Sequence, residues 1–184
     1  MRYLRITLSI VLMSLSTLAF AQHDMQEPVA QSDAQKSFEK MKTLAGSWQG
    51  KVSTVPPQSD IEGKPMQISM RVTSMGHTLM HEATGSGRPD DPITMFVVDG
   101  DRLLLTHYCD ADNRPRMVGK MSPDGKTVQF EFLDVTGNLQ YGHMQHAVFT
   151  FIDANHHTED WTFVHEGKQG PTPIHAYFDL QRTN

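Results

Sequence analysis

The sequence has a single cysteine, Cys109, in 184 residues. No disulfide can form within the chain, so the fold must rest on packing. The sequence also lacks a basic excess, with 16 Lys and Arg against 21 Asp and Glu. That excludes the positive face that nucleic acid or an anionic membrane surface requires. Internal repeats and low-complexity tracts are missing, which argues against solenoid and fibrous architectures. No apolar run is long enough to span a bilayer. The longest, 8–20, is interrupted by Ser9, Ser14, Ser16 and Thr17 and falls short of the roughly 20 apolar residues that a spanning helix needs. Ten histidines are present, yet none shows zinc-type spacing.

What is there begins with a leader. Arg2 and Arg5 precede the apolar run 8–20, and Ala19-Phe20-Ala21 is a small-x-small cleavage site. This pattern predicts a signal peptide over 1–21, cleaved after Ala21, and a periplasmic or secreted protein with no membrane insertion after cleavage. Cleavage removes two arginines and no acidic residue, so the mature chain is more negative still. Residues 22–31 are polar, contain Pro28, and read as a disordered tether. Residues 32–184 then suffice for one domain with a core that needs no staples. No feature sets an oligomeric state.

Helical periodicity occurs once. Ser32 or Asp33 can cap a helix running to about Ala45, with Phe38, Met41 and Leu44 on one stripe and Gly46 as its stop. From Trp48 onward, strand-like runs alternate with turn chemistry. Ten strands are expected: 48–55, 66–75, 78–84, 93–99, 102–109, 117–121, 127–134, 142–152, 156–165 and 174–181. Asp99-Gly100 and Ser122-Pro123-Asp124-Gly125 are tight-turn signals. Three links are longer: 56–65, 85–92 and 110–116. So many short strands leave an exposed edge unless the sheet closes. The expected fold is therefore all-β, a single up-and-down antiparallel barrel of about ten strands with the short N-terminal helix packed on it. A barrel of this size can hold one small ligand.

The segment Leu44-Ala45-Gly46-Ser47-Trp48-Gln49-Gly50, the meander behind it and the late Arg182 resemble the calycin-type barrels, the group of lipocalins, fatty-acid-binding proteins and nitrobindins. The resemblance implies that Trp48 and Arg182 pack together across a closed end, with the guanidinium over the indole face. Within the group, Leu-x-Gly-x-Trp-x-Gly after a short helix is most similar to nitrobindin-like proteins. These bind haem through a histidine near the C-terminus, a position that His175 would match. The glycine-rich continuation of those proteins is absent, since Lys51-Val52-Ser53-Thr54 follows. The run from Thr106 through Cys109 to Arg116 also resembles uncharacterised exported bacterial proteins.

The candidate site residues come from strand parity. His107 and Cys109 are two apart and share a face, where they can meet a ligand or a soft metal. His157, Glu159 and Trp161 share a face of the ninth strand with Phe163 and His165. A carboxylate on an aromatic face needs a partner if it is buried, and convergent polar groups in an apolar cavity mark a ligand site. His175 and Tyr177 share a face of the last strand. His143 and His146 are expected on opposite faces. Three functions are consistent with this pattern. The leading one is an exported barrel that binds a small apolar or amphipathic molecule. The second is a haem or metal protein using His175, or His107 with Cys109. The third is an enzyme with a Glu159/histidine acid–base pair.

Overall fold

The structure, a computed structural model, describes residues 30–85, 90–167 and 170–183. The expected leader, 1–21, and nearly all of the expected tether, 22–31, lie outside the described residues. Ser32 precedes the first helix. Its side chain accepts a hydrogen bond from the Gln35 amide at 3.1 Å and caps helix α1, Asp33–Lys42. Ala34, Ser37, Phe38 and Met41 form the buried stripe. The expected helix continued to about Ala45. Instead α1 stops at Lys42, and the Thr43, Leu44 and Ala45 amides bond back to Lys40, Met41 and Lys42 as one tightened turn.

Ten strands follow among the described residues: β1 Gly46–Val55, β2 Pro65–Thr73, β3 Thr78–Thr84, β4 Ile93–Asp99, β5 Arg102–Tyr108, β6 Asn113–Met121, β7 Thr127–Gly137, β8 His143–Asp153, β9 His156–Gly167 and β10 Gly170–Thr183. Each pairs antiparallel with its sequence neighbours, and β1 pairs with β10 to close the barrel. The expected all-β, up-and-down barrel is therefore observed. Four strands, β1, β2, β6 and β10, begin earlier than expected, and the extensions of β2, β6 and β10 take in prolines. Pro115 lies in β6 before pairing with β5 begins at Arg116, and Pro173 lies in β10 before pairing with β1 begins at His175. Pro115 and Pro173 each pair with one neighbouring strand only, where strand prolines are tolerated.

The inward face is apolar at one end. Trp48, Ile68, Leu79, Phe96, Leu105, Met117, Phe130, Phe149 and Leu180 are at most 1% exposed. Phe96, Phe130 and Phe149 pack as a triangle with centroids 5.4–5.9 Å apart. Helix α1 lies over β4, β5 and β6 and adds Phe38, Met41 and Leu44 to this core. The short turns at 74–77, 100–101, 122–126 and 154–155 all lie at this sealed end. The links 56–64, 109–112 and 138–142 lie at the other end, with the last residue of β3 and the first of β4, as antiparallel order dictates.

Closure rests on the last strand. Arg182 lies opposite Trp48 in the register, with its guanidinium carbon 4.1 Å from the indole centroid. It also donates to the Ala45, Thr43 and Ala154 carbonyls at 2.8, 3.1 and 3.0 Å. The Trp48 indole N–H donates to the Leu44 carbonyl at 2.8 Å. Gly46 proves to be the first residue of β1, not the helix stop. Its φ is +138°, and a Cβ there would sit 2.3 Å from Arg182 Nη1. A Cβ on Gly50 would sit 1.9 Å from the Asp179 carbonyl oxygen. Both glycines exist to let β1 approach β10.

Replacing Gly50 with Ala is expected to lower unfolding free energy by about 1–3 kcal/mol through overpacking. Arg182→Ala is expected to cost about 2–4 kcal/mol through lost charge-assisted bonds and ring contact. Tyr177→Ala, on the outer face, should change little. Urea unfolding of the three variants checks the order.

Candidate functional site

Strand β9 carries the polar residues inward. His157, Glu159 and Trp161 alternate on the inner face, with His157 and Glu159 fully buried and Trp161 4% exposed. Across the barrel, β3 contributes His81, also buried. Glu159 Oε2 accepts from the Trp161 indole N–H at 2.8 Å and lies 3.0 Å from His81 Nε2. Glu159 Oε1 lies 3.1 Å from His157 Nε2 and 3.2 Å from His81 Nε2. Burial alone pushes this carboxyl up. The charge of His81 and the hydrogen bonds from His157 and His81 outweigh burial and hold it well below the usual carboxylate range. An ionised carboxylate only accepts, so both imidazole Nε2 atoms are donors here. Their Nδ1 atoms have no partner among the described residues.

The buried Glu159 expected to need a partner thus has three: His157 and Trp161 from its own strand face, and His81. Only the last lay beyond sequence reasoning. His81 belongs to a strand 78 positions earlier, and only barrel curvature brings it across. Its signal was a histidine at an inward parity between Leu79 and Ala83. As an acid–base pair this group is poorly disposed. A general acid or base works best with a pKa near the operating pH and reach to a substrate, whereas Glu159 is held ionised, sealed from solvent and fully hydrogen-bonded.

His107 lies beside this cluster. It is 4% exposed, packs on Trp161 at a 5.5 Å centroid distance, and shares a 2.8 Å hydrogen bond between its Nδ1 and Thr94 Oγ1. Its Nε2 has no partner among the described residues. Burial, with His81 nearby, pushes the ring's pKa down to about 3, so it is neutral at ordinary pH. His107 and the half-buried Cys109 do share a face, as parity suggests, and line one cavity of about 140 Å³ together with Val52, Met66, Ala83 and Phe178.

That cavity adjoins a wider one of about 500 Å³ at the open end. Ile61, Asp110, Met144, Phe163 and Ala176 line both. Trp161 and Ile174 extend the apolar wall of the wider space, and Gln58, Asp60 and Tyr141 sit on its rim. The rim is braced. The Glu62 carboxylate accepts from the Thr54 amide and hydroxyl, and the Thr54 hydroxyl accepts from the Gln58 amide at 2.7 Å. The Asn113 side-chain amide donates to the Asn138 and Gly142 carbonyls at 2.7 and 2.6 Å, pinning the 138–142 link that carries Tyr141.

His175 and Tyr177 are a correction. They do share a face of β10, but it is the outer one. The His175 side chain is 47% exposed, and Tyr177 is 42% exposed. In this register Ile174, Ala176, Phe178 and Leu180 point inward, so a one-residue choice of parity decides the matter. His175 Nδ1 bonds Thr162 at 3.2 Å. His165 is exposed. His143 and His146 are a second correction. A bulge between Met144 and His146 sets them opposite Val164 and Thr162, so both lie on one side of the sheet. Among the described residues no group of three or more His, Cys, Asp or Glu is arranged to hold a metal ion. His175, the position that the resemblance offers for a haem ligand, faces away from the interior.

No family model and no curated protein matches the chain. Among solved structures it is similar to Rv2717c from M. tuberculosis, with a TM-score of 0.57 and 13% identity over 80% of this chain and 98% of that one. It is also similar to a protein of unknown function of the DUF3598 family from Nostoc punctiforme PCC 73102, with a TM-score of 0.52 and 14% identity over 78% of this chain and 48% of that one. At these identities the likeness is one of fold.

Glu159→Ala leaves two imidazoles and an indole without their shared acceptor, and is expected to cost about 3–5 kcal/mol in urea unfolding. The His107 shift sets a pH window. Its folded pKa is about 3 and its ordinary value 6.5, so below pH 6.5 the unfolded chain binds a proton that the native ring refuses. Stability is full above 6.5 and falls by about 1.4 kcal/mol per pH unit toward pH 3 from this residue. Glu159 adds its own loss only below its ordinary 4.5. Unfolding measured from pH 6.5 to 4.5 should therefore show a shallower slope in His107→Gln than in the wild type.

Proposed function

We propose that this protein is an exported, calycin-like barrel that binds a small apolar or amphipathic molecule through its open end. One observation carries the reading: a cavity of about 500 Å³, walled by Ile61, Met144, Trp161, Phe163, Ile174 and Ala176, with Gln58, Asp60, Asp110 and Tyr141 as its few polar side chains. That volume and that distribution are those of small-molecule sites. The sealed end supports it as well. Trp48, Arg182 and α1 fill the opposite half, so a ligand has one entrance. Export rests on the leader-like N-terminus. Net negative charge argues against nucleic acid as the partner. No helix among the described residues is long and apolar enough to cross a membrane.

The test uses protein recovered from the periplasm, expected to begin at Gln22. A neutral apolar dye, N-phenyl-1-naphthylamine, should bind saturably at one site and quench tryptophan emission, since Trp161 lines the cavity and the other tryptophan, Trp48, is sealed away. Ala176→Phe, which fills the cavity wall, should weaken binding at least tenfold with its melting temperature little changed. Tyr177→Ala, outside the barrel, should bind as the wild type does. Equal binding by wild type and Ala176→Phe would refute the site.

A further inference from the structure

Among the described residues that line the inner cavity, one buried side-chain nitrogen has no partner. Val52, Met66, Ala83, Phe163, Ala176 and Phe178 supply an apolar wall, and His107 stands among them, 4% exposed, with Nε2 unpartnered. A buried polar group without a partner is costly. Thr94 decides what that atom offers. The ring is neutral, so one nitrogen carries the hydrogen. If the Thr94 hydroxyl donates to Nδ1, Nε2–H is the only group left over. If Nδ1–H donates to Thr94 instead, both the hydroxyl hydrogen and the Nε2 lone pair are left, because Thr94 Oγ1 makes no other hydrogen bond among the described residues. The first arrangement leaves fewer orphans. It makes His107 Nε2–H a donor at the inner end of the cavity.

The surroundings of that atom set the class of acceptor. Trp161 packs on His107, and Val52, Met66, Ala83 and Phe178 make the wall around it apolar. No Lys or Arg lines the cavity among the described residues, and the one donor is a neutral imidazole. An anion would lose its hydration there for a single bond from a neutral group, which is unfavourable in an apolar site. We infer that the ligand carries a neutral carbonyl-type acceptor on a small apolar tip, and that His107 Nε2–H, oriented by Thr94, anchors that acceptor at the inner end of the cavity. This deepens the binding reading above and rests on it.

The probes are acetophenone, ethylbenzene and benzoate, which share size and differ in the polar group. Affinities are measured by calorimetry on the wild type, His107→Leu and Thr94→Val. The wild type should prefer acetophenone to ethylbenzene at least tenfold and bind benzoate more weakly than either. His107→Leu should keep ethylbenzene binding and lose the preference. Thr94→Val, acting on a positioning residue, should reduce the preference while retaining ethylbenzene binding. Ring nitrogen spectra of His107 should show the hydrogen on Nε2 in the wild type. Equal binding of ketone and hydrocarbon, benzoate as the tightest probe, or a preference that survives His107→Leu would overturn the anchor and leave the cavity reading standing. Binding of none of the three by wild type would overturn both.

Discussion

The guanidinium of Arg182 is the contact on which the rest depends. An open ten-strand meander would expose the backbone of both edge strands. Pairing β1 with β10 removes those edges, and Arg182 locks the pairing by covering the Trp48 ring and taking three backbone carbonyls as acceptors. Two of those carbonyls, of Thr43 and Ala45, belong to the turn after α1. One side chain therefore ties helix, first strand and last strand together. Gly46 and Gly50 make room for it, because a side chain at either would strike Arg182 or the backbone of β10.

Sealing one end has a consequence at the other. Side chains fill the barrel from the Trp48 end upward until the aromatic triangle, and the open space begins above Trp161. Between them runs a continuous line of contacts. Trp48 meets the edge of His157 at 4.2 Å, His157 holds Glu159, Glu159 holds Trp161, and Trp161 packs on His107 beside the inner cavity. Glu159 is the middle of this line. A buried carboxylate is tolerated only when its lone pairs are used. Here they are, so it acts as a fixed negative charge that orients three rings. The same line links stability and binding: the Trp161 ring that walls the cavity is held by the carboxylate that the core must keep ionised.

Much of this is legible in the sequence. The strands 78–84 and 93–99 match their expected bounds, because turn residues bracket them. Trp48 and Arg182 were paired through the resemblance, and they lie in register. Glu159 was singled out because a carboxylate on a face with Trp161 has to find partners. His81 was not, since one histidine among ten, on a strand with no other polar inward residue, carries no local mark. His175 and Tyr177 were placed together correctly, but the face was not determinable from alternation alone. Pro115 and Pro173 fell outside the expected strands and lie within β6 and β10, where each meets only one neighbouring strand.

Local chemistry by itself determined the number and order of strands and a helix cap at Ser32 or Asp33, since these depend on turn residues, alternation and short-range hydrogen bonding, whereas the pairing of Trp48 with Arg182 came from the resemblance. The tertiary structure alone decided which face of each strand is inward, the union of His81 with Glu159 and the donor edge of His107. Those follow from barrel register and closure, which bring residues about 80 positions apart within 3.2 Å, and no local pattern encodes a distance across the barrel.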